Sequence, residues 1–180
     1  IYGGTQVTIF GQGFDEPVAV SFGGVAQQVL SVSGTELVVR TTHPTSCLSG
    51  ANAVTVVNIE TGAPQTGSLS FTYLKPNVFS ISPTSGPQSG NTAVTISGDN
   101  FGDPILVTFN PGSAYQATVQ SVSQNTIQVR SPAVPDSVFT EVDCNDNGDS
   151  QNGKRYQPKA ATITVTDPVS GCSDTFEGVF

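Results

Sequence analysis

The chain has 180 residues (18.6 kDa), of which 36% are hydrophobic and only 11% charged, and a net charge of −8 at pH 7. That length holds one large domain or two small ones, because domains of about 100 residues still bury a usable core. An acidic chain with six scattered basic residues repels duplex DNA, and no apolar stretch approaches the ~20 residues that span a bilayer, so nucleic acid and direct membrane insertion are excluded.

Glycine (19) and proline (12) interrupt almost every stretch of helical length, and Val dominates the apolar residues, which favours short strands joined by turns. In chain order, strands are expected near Thr5 to Phe10, Val18 to Phe22, Gln27 to Ser31, Glu36 to Arg40, Ala53 to Asn58 and Ser68 to Tyr73. Val7 and Ile9 alternate with Thr8, which turns that pair toward a core. Phe10 falls on the opposite face and is a contact candidate. Gly11 ends the strand where a positive φ is expected, and Phe14 follows as a core plug. The joint around Leu74-Lys75-Pro76 is short and carries a proline, so a semi-rigid connection is expected. Beyond it, a strand at Val78 to Ser82 precedes the turn Pro83-Thr84-Ser85-Gly86-Pro87.

An internal repeat then fixes the organisation. Gly3 to Phe22 aligns without gaps on Gly90 to Phe109 at an offset of 87, Ser31 to Thr41 on Ser121 to Ser131 at 90, and Val54 to Gly62 on Ile163 to Gly171 at 109. The six strands therefore recur, with a long insertion at about 133–159 in the second copy. The first copy lacks the counterpart of Val78 to Ser82, and an open sheet edge must be covered. Upstream residues of the same chain are the simplest source of that strand, and a strand donated by another subunit is the alternative. The chain opens without Met and is expected to be part of a longer exported polypeptide.

Ser80 to Gly102, reading SISPTSGPQSGNTAVTISGDNFG, resembles the opening signature of IPT/TIG domains: a Pro, a Ser-Gly-Pro turn, a Gly-Thr strand and a Gly-x-x-Phe. The resemblance implies an all-β chain of two tandem immunoglobulin-like (early-set) β-sandwiches, one over 1–74 without its first strand and one over 75–180. It also implies a surface, receptor-like, starch-enzyme or Rel-type context, so function has to be argued from the residues themselves.

Three cysteines occur in a chain expected to be extracellular or displayed on a cell surface, and an odd number leaves one over. Cys144 in the insertion and Cys172 in the last hairpin are the candidate disulfide, while Cys47 is a buried free thiol or is paired outside this chain. Asp143, Asn145 and Asn147 alternate before Gly148, with Asp149 beside them, like the first half of an EF-hand-type calcium loop. Lys154 replaces the closing Glu and no helices flank the loop, so a solvated polar excursion is the favoured reading, calcium the alternative, and no other cofactor is expected. His43, the single histidine, reads as a surface-loop residue, and no phosphate loop or zinc spacing appears. Tyr115 and Tyr156 are the candidate sugar platforms in a chain without Trp. The expected role is a non-catalytic structural or adhesive spacer whose partners are neighbouring domains or subunits of a surface assembly; a glycan-binding accessory module is the alternative.

Overall fold

The computed structural model describes residues 2–111, 114–143 and 154–177. The first copy contributes β1 (Gln6–Phe10), β2 (Val18–Phe22), β3 (Val25–Ala26), β4 (Gln28–Val32), β5 (Glu36–Arg40), β6 (Gly50–Asn58) and β7 (Pro64–Tyr73). The second contributes β8 (Asn77–Ser82), β9 (Ala93–Asp99), β10 (Leu106–Asn110), β11 (Tyr115–Gln116), β12 (Thr118–Val122), β13 (Thr126–Arg130), β14 (Glu141–Asp143), β15 (Lys154–Tyr156), β16 (Thr162–Thr166) and β17 (Ser173–Phe176). One 3-10 turn at Asp136–Val138 is the only helical segment among the described residues.

In the first copy, the sheet β1-β5-β4 faces the sheet β3-β2-β6-β7; in the second, β12-β13-β9-β8 faces β11-β10-β16-β17, with β14 and β15 forming a separate hairpin in the insertion. The chain is therefore two tandem immunoglobulin-like β-sandwiches. The repeat extends to register: Ile9 opposes Leu37 and Val7 opposes Val39, as Ile96 opposes Ile127 and Val94 opposes Val129. Both copies also carry a bulge at the same place, between Val29 and Ser31 in β4 and between Val119 and Ser121 in β12.

Each sandwich encloses its own core. Phe22, Leu37 and Val39 are fully buried in the first, Ile96, Ile127, Ile163 and Val165 in the second, all on the inward-facing period-two positions. Phe101 joins the second core at 2% exposure, whereas Phe14 is half-buried against the first.

Gly11 and Gly98 are not at positive φ, contrary to the sequence expectation. Space is the reason for glycine there. A Cβ on Gly11 would meet the Phe14 ring at 2.4 Å, and one on Gly98 would lie 2.0 Å from the Asn77 carbonyl oxygen and 2.4 Å from the Phe101 ring. The left-handed positions sit elsewhere and repeat at the same offset: Gly3 and Gly90 (φ 70° and 74°), Gly4 and Asn91 (81° and 62°), Gly13 and Asn100 (71° and 60°).

The chain divides into two compact units: Ile1–Lys75 with Asp167–Cys172, and Pro76–Thr166 with Ser173–Phe180. The turn joining β16 to β17 thus belongs to the first unit, on the other side of a cut at 74/75. Among the described residues no helix is long and apolar enough to cross a membrane.

Candidate functional site

Chemistry-bearing side chains of the first unit gather at the turn Asp167–Cys172. Cys172, 4% exposed, is bonded to Cys47 with a Cα–Cα distance of 4.8 Å, inside the range a disulfide needs. This corrects the expected pairing of Cys172 with Cys144 and the expectation that Cys47 is left over. The last hairpin brings Cys172 into the first unit, a placement that the copy-to-copy alignment cannot show because Ala63 stands at the corresponding point of copy one. Cys144 lies outside the described residues.

Beside the bridge, His43 Nε2 lies 2.6 Å from Oδ2 of Asp167, whose side chain is fully buried. His43 is 19% exposed, so it is a bonded, mostly buried residue and not the surface-loop histidine expected. The Ser170 hydroxyl donates to the same Oδ2 at 2.5 Å, and the Val169 N–H donates to Oδ1 at 2.9 Å. Burial pushes the Asp167 carboxyl up, but the bonds from Ser170, His43 and Val169 and the His43 charge outweigh it and hold the pKa below the usual carboxylate value.

The arrangement does not build a nucleophile. Ser170 and His43 both address the carboxylate, so the hydroxyl proton is held by Asp167 and not by the imidazole, and Ser170 Oγ additionally accepts from the Cys172 N–H at 3.2 Å. What the geometry achieves is to fix the turn: both oxygens of the Asp167 carboxylate, the Ser170 hydroxyl and the N–H groups of Val169, Gly171 and Cys172 are bonded within it or to His43, and the sulfur bridge closes its end.

A buried polar pair missed by sequence reasoning lies nearby in the fold. Gln27 Nε2 donates to the Tyr73 hydroxyl at 3.1 Å, and Gln27 Oε1 accepts from the Thr42 N–H at 2.9 Å. Burial raises the Tyr73 pKa, with the Gln27 bond opposing. Copy two has buried Ala117 at the aligned position, so the repeat itself carries no signal for this network.

Two hollows remain. In the second unit a cavity of about 350 Å³ is lined by Phe109, Pro111, Pro132, Val134, Phe139 and Pro158, with the turn from Thr84 to Gln88 along another side. Two of its polar neighbours are engaged internally: Lys159 Nζ donates to the Val138 carbonyl at 3.0 Å, and Gln88 donates to Asp136. The lining suits an apolar group. In the first unit a cleft of about 260 Å³ runs beside β1, between Val7, Ile9 and Phe10 on one side and Val54, Leu69 and Phe71 on the other.

Of the other expected site residues, Phe10 is 73% exposed. Tyr115 is half-buried in β11 opposite Phe109. The side chains of Asp143 and Tyr156, and all of Asn145, Asn147 and Asp149, lie outside the described residues, so the structure does not bear on the calcium reading.

The chain is similar over 99% of its length to part of the extracellular region of Plexin A4 (19% identity, TM-score 0.45), of which it spans 16%. It is similar over 95% of its length to the surface glycan-binding protein PbSGBP-B from Prevotella bryantii (16% identity, TM-score 0.40), of which it spans 35%. No curated protein matches as a relative. The IPT/TIG domain model matches twice, over residues 1–73 and 76–163. Matched in both halves, the chain belongs to the IPT/TIG domain family.

Proposed function

We propose that the chain is a non-catalytic extracellular module, a structural or adhesive spacer that contacts neighbouring domains or subunits of a surface assembly. The observation that carries this reading is the Cys47–Cys172 bridge. A disulfide persists in oxidising surroundings and is rare where thiols are kept reduced, which favours an exported protein.

Two further features support the reading. The hydroxyl, imidazole and carboxylate at the turn are spent on holding it, which suits a part whose task is to keep its shape. The low share of charged residues and the net charge of −8 disfavour nucleic acid as a partner.

The test is surface labelling of intact source cells with a membrane-impermeant amine reagent, followed by peptide mapping without reduction. Labelled Lys75 or Lys159 together with a Cys47–Cys172 cross-linked peptide is the expected result. Recovery of the chain only from the cell interior, with both cysteines as thiols, would overturn the proposal.

A further inference from the structure

The two copies differ most in the connection that follows the aligned strands β5 and β13. In the first, β5 leads to β6 through residues 41–49; in the second, β13 leads to β16 through residues 131–161. Val134, Phe139, Pro158 and Lys159 of that longer connection line the cavity of about 350 Å³. These residues lie in the inserted segment, so the wall they build belongs to the second copy. In the first copy Phe22, the counterpart of Phe109, is stacked on Phe71 at 4.7 Å.

Exposure grades from a floor to a mouth. Among the lining residues Phe109, Pro111 and Ala161 are buried, Pro132, Val134 and Phe139 are half-buried, and Thr84, Ser85 and Lys159 are exposed. A hollow with that gradient is closed on the core at one end and open to solvent at the other, so a molecule can enter it.

Size, wall chemistry and charge name what fits. An apolar cavity of about 150 Å³ takes up benzene, so this one has room for a ring and several further atoms. Phe109, Phe139 and the prolines present flat, apolar ring faces. Such a wall favours an aromatic ring over a sugar, whose hydroxyls would give up water without gaining partners. Lys159 adds a cation. Its Nζ donates to the neutral Val138 carbonyl at 3.0 Å, which ties the ammonium one residue from Phe139 and engages one of its three donors. Among the described residues no carboxylate pairs with Lys159. Asp136, the acid on the adjoining turn, accepts from Gln88 and is not part of the wall. The net charge of −8 opposes a bound anion only weakly, because physiological salt screens exposed charges beyond about 8 Å.

We propose that this cavity binds a small aromatic carboxylate, with the ring held against Phe109, Phe139 and the surrounding prolines and the carboxylate on the Lys159 ammonium. The charge-assisted bond orients the ligand, and the apolar wall supplies the area it buries.

Cinnamate, cinnamyl alcohol and cinnamylamine share one ring and one side-chain length and differ in charge, so each is titrated into the isotope-labelled 180-residue chain and followed by amide chemical shifts. Cinnamate should give saturable shifts centred on residues 84–88, 133–139 and 159–161, with a dissociation constant of about 1 mM or lower. The alcohol and the amine should each bind at least about fivefold more weakly. Lys159→Gln should remove the preference for cinnamate while leaving the affinity for the alcohol within about twofold. Val134→Trp, which fills the hollow, should abolish cinnamate binding, with thermal melting as the check that the variant is folded; if it is not, the Lys159→Gln comparison decides alone. The proposal is overturned by the absence of saturable shifts at these residues, by equal affinity for the three probes, by an unchanged preference for cinnamate in Lys159→Gln, or by full cinnamate binding in a folded Val134→Trp chain.

Discussion

Replacing both bridging cysteines, Cys47→Ala with Cys172→Ala, removes a cross-link between residues 125 apart in sequence. In the chain-entropy account, a loop of that length restrains the unfolded chain by about 5 kcal/mol. That figure applies when the whole chain unfolds; where the second unit stays folded while the first opens, the flexible part of the loop is shorter and the loss smaller. Losses of about 2–5 kcal/mol are therefore expected. With a urea dependence of about 1–3 kcal/mol per molar, a loss of 3 kcal/mol moves the midpoint by about 1–3 M. The assay is urea unfolding followed by far-ultraviolet circular dichroism, comparing the oxidised parent with the double variant. A midpoint displaced by less than about 0.3 M, or peptide mapping that finds Cys172 joined to Cys144, would refute the reasoning.

Asp167→Asn should cost about 1–3 kcal/mol through weakened bonds to His43 and Ser170. Because the folded-state pKa of Asp167 is lowered, its contribution is complete above the ordinary aspartate pKa and is lost as pH falls through the lower folded value; the variant should have a shallower loss of stability below about pH 4 in acid titrations of melting temperature. Gly98→Ala should cost about 1–3 kcal/mol, because the new methyl meets the Asn77 backbone and β8 must shift, whereas Gly11→Ala meets only the half-buried ring of Phe14 and should cost less; parallel denaturation curves decide the order. Phe22→Ala should cost about 3–5 kcal/mol by thermal unfolding, since the ring is fully buried and stacked on Phe71 at 4.7 Å. Affinity electrophoresis through gels containing neutral polysaccharides should leave the mobility unchanged, and retardation would favour a glycan-binding module.

The sandwich was legible wherever a feature is local or repeated. Alternation at Val7, Thr8 and Ile9 placed β1 and its buried face, and the offset of 87 carried that placement to Val94 and Ile96. Features that occur once were not legible. His43 and Asp167 are 124 residues apart, and Cys47 and Cys172 lie in segments that the repeat does not relate, so neither periodicity nor alignment connects them. The glycines at 11 and 98 were located correctly but for the wrong reason, because a steric demand from Phe14, Phe101 and Asn77 leaves the same residue in the sequence as a torsional one. For the cavity, a signal was present in Pro132 just before the insertion and Pro158 near its end, but proline spacing does not say whether a loop folds over a core or leaves a hollow.

The sulfur bridge has a mechanical consequence. Tension applied to the two ends of this chain travels from Ile1 to Cys47, across the bond, and from Cys172 to Phe180. The intervening stretch, the greater part of the second copy included, hangs from that path as a side loop. Fully drawn out, 125 residues would measure about 440 Å, and that slack stays locked away for as long as the sulfurs remain joined. A string of such modules under shear would yield only a few tens of residues apiece, and a reductant would act on it as a release catch.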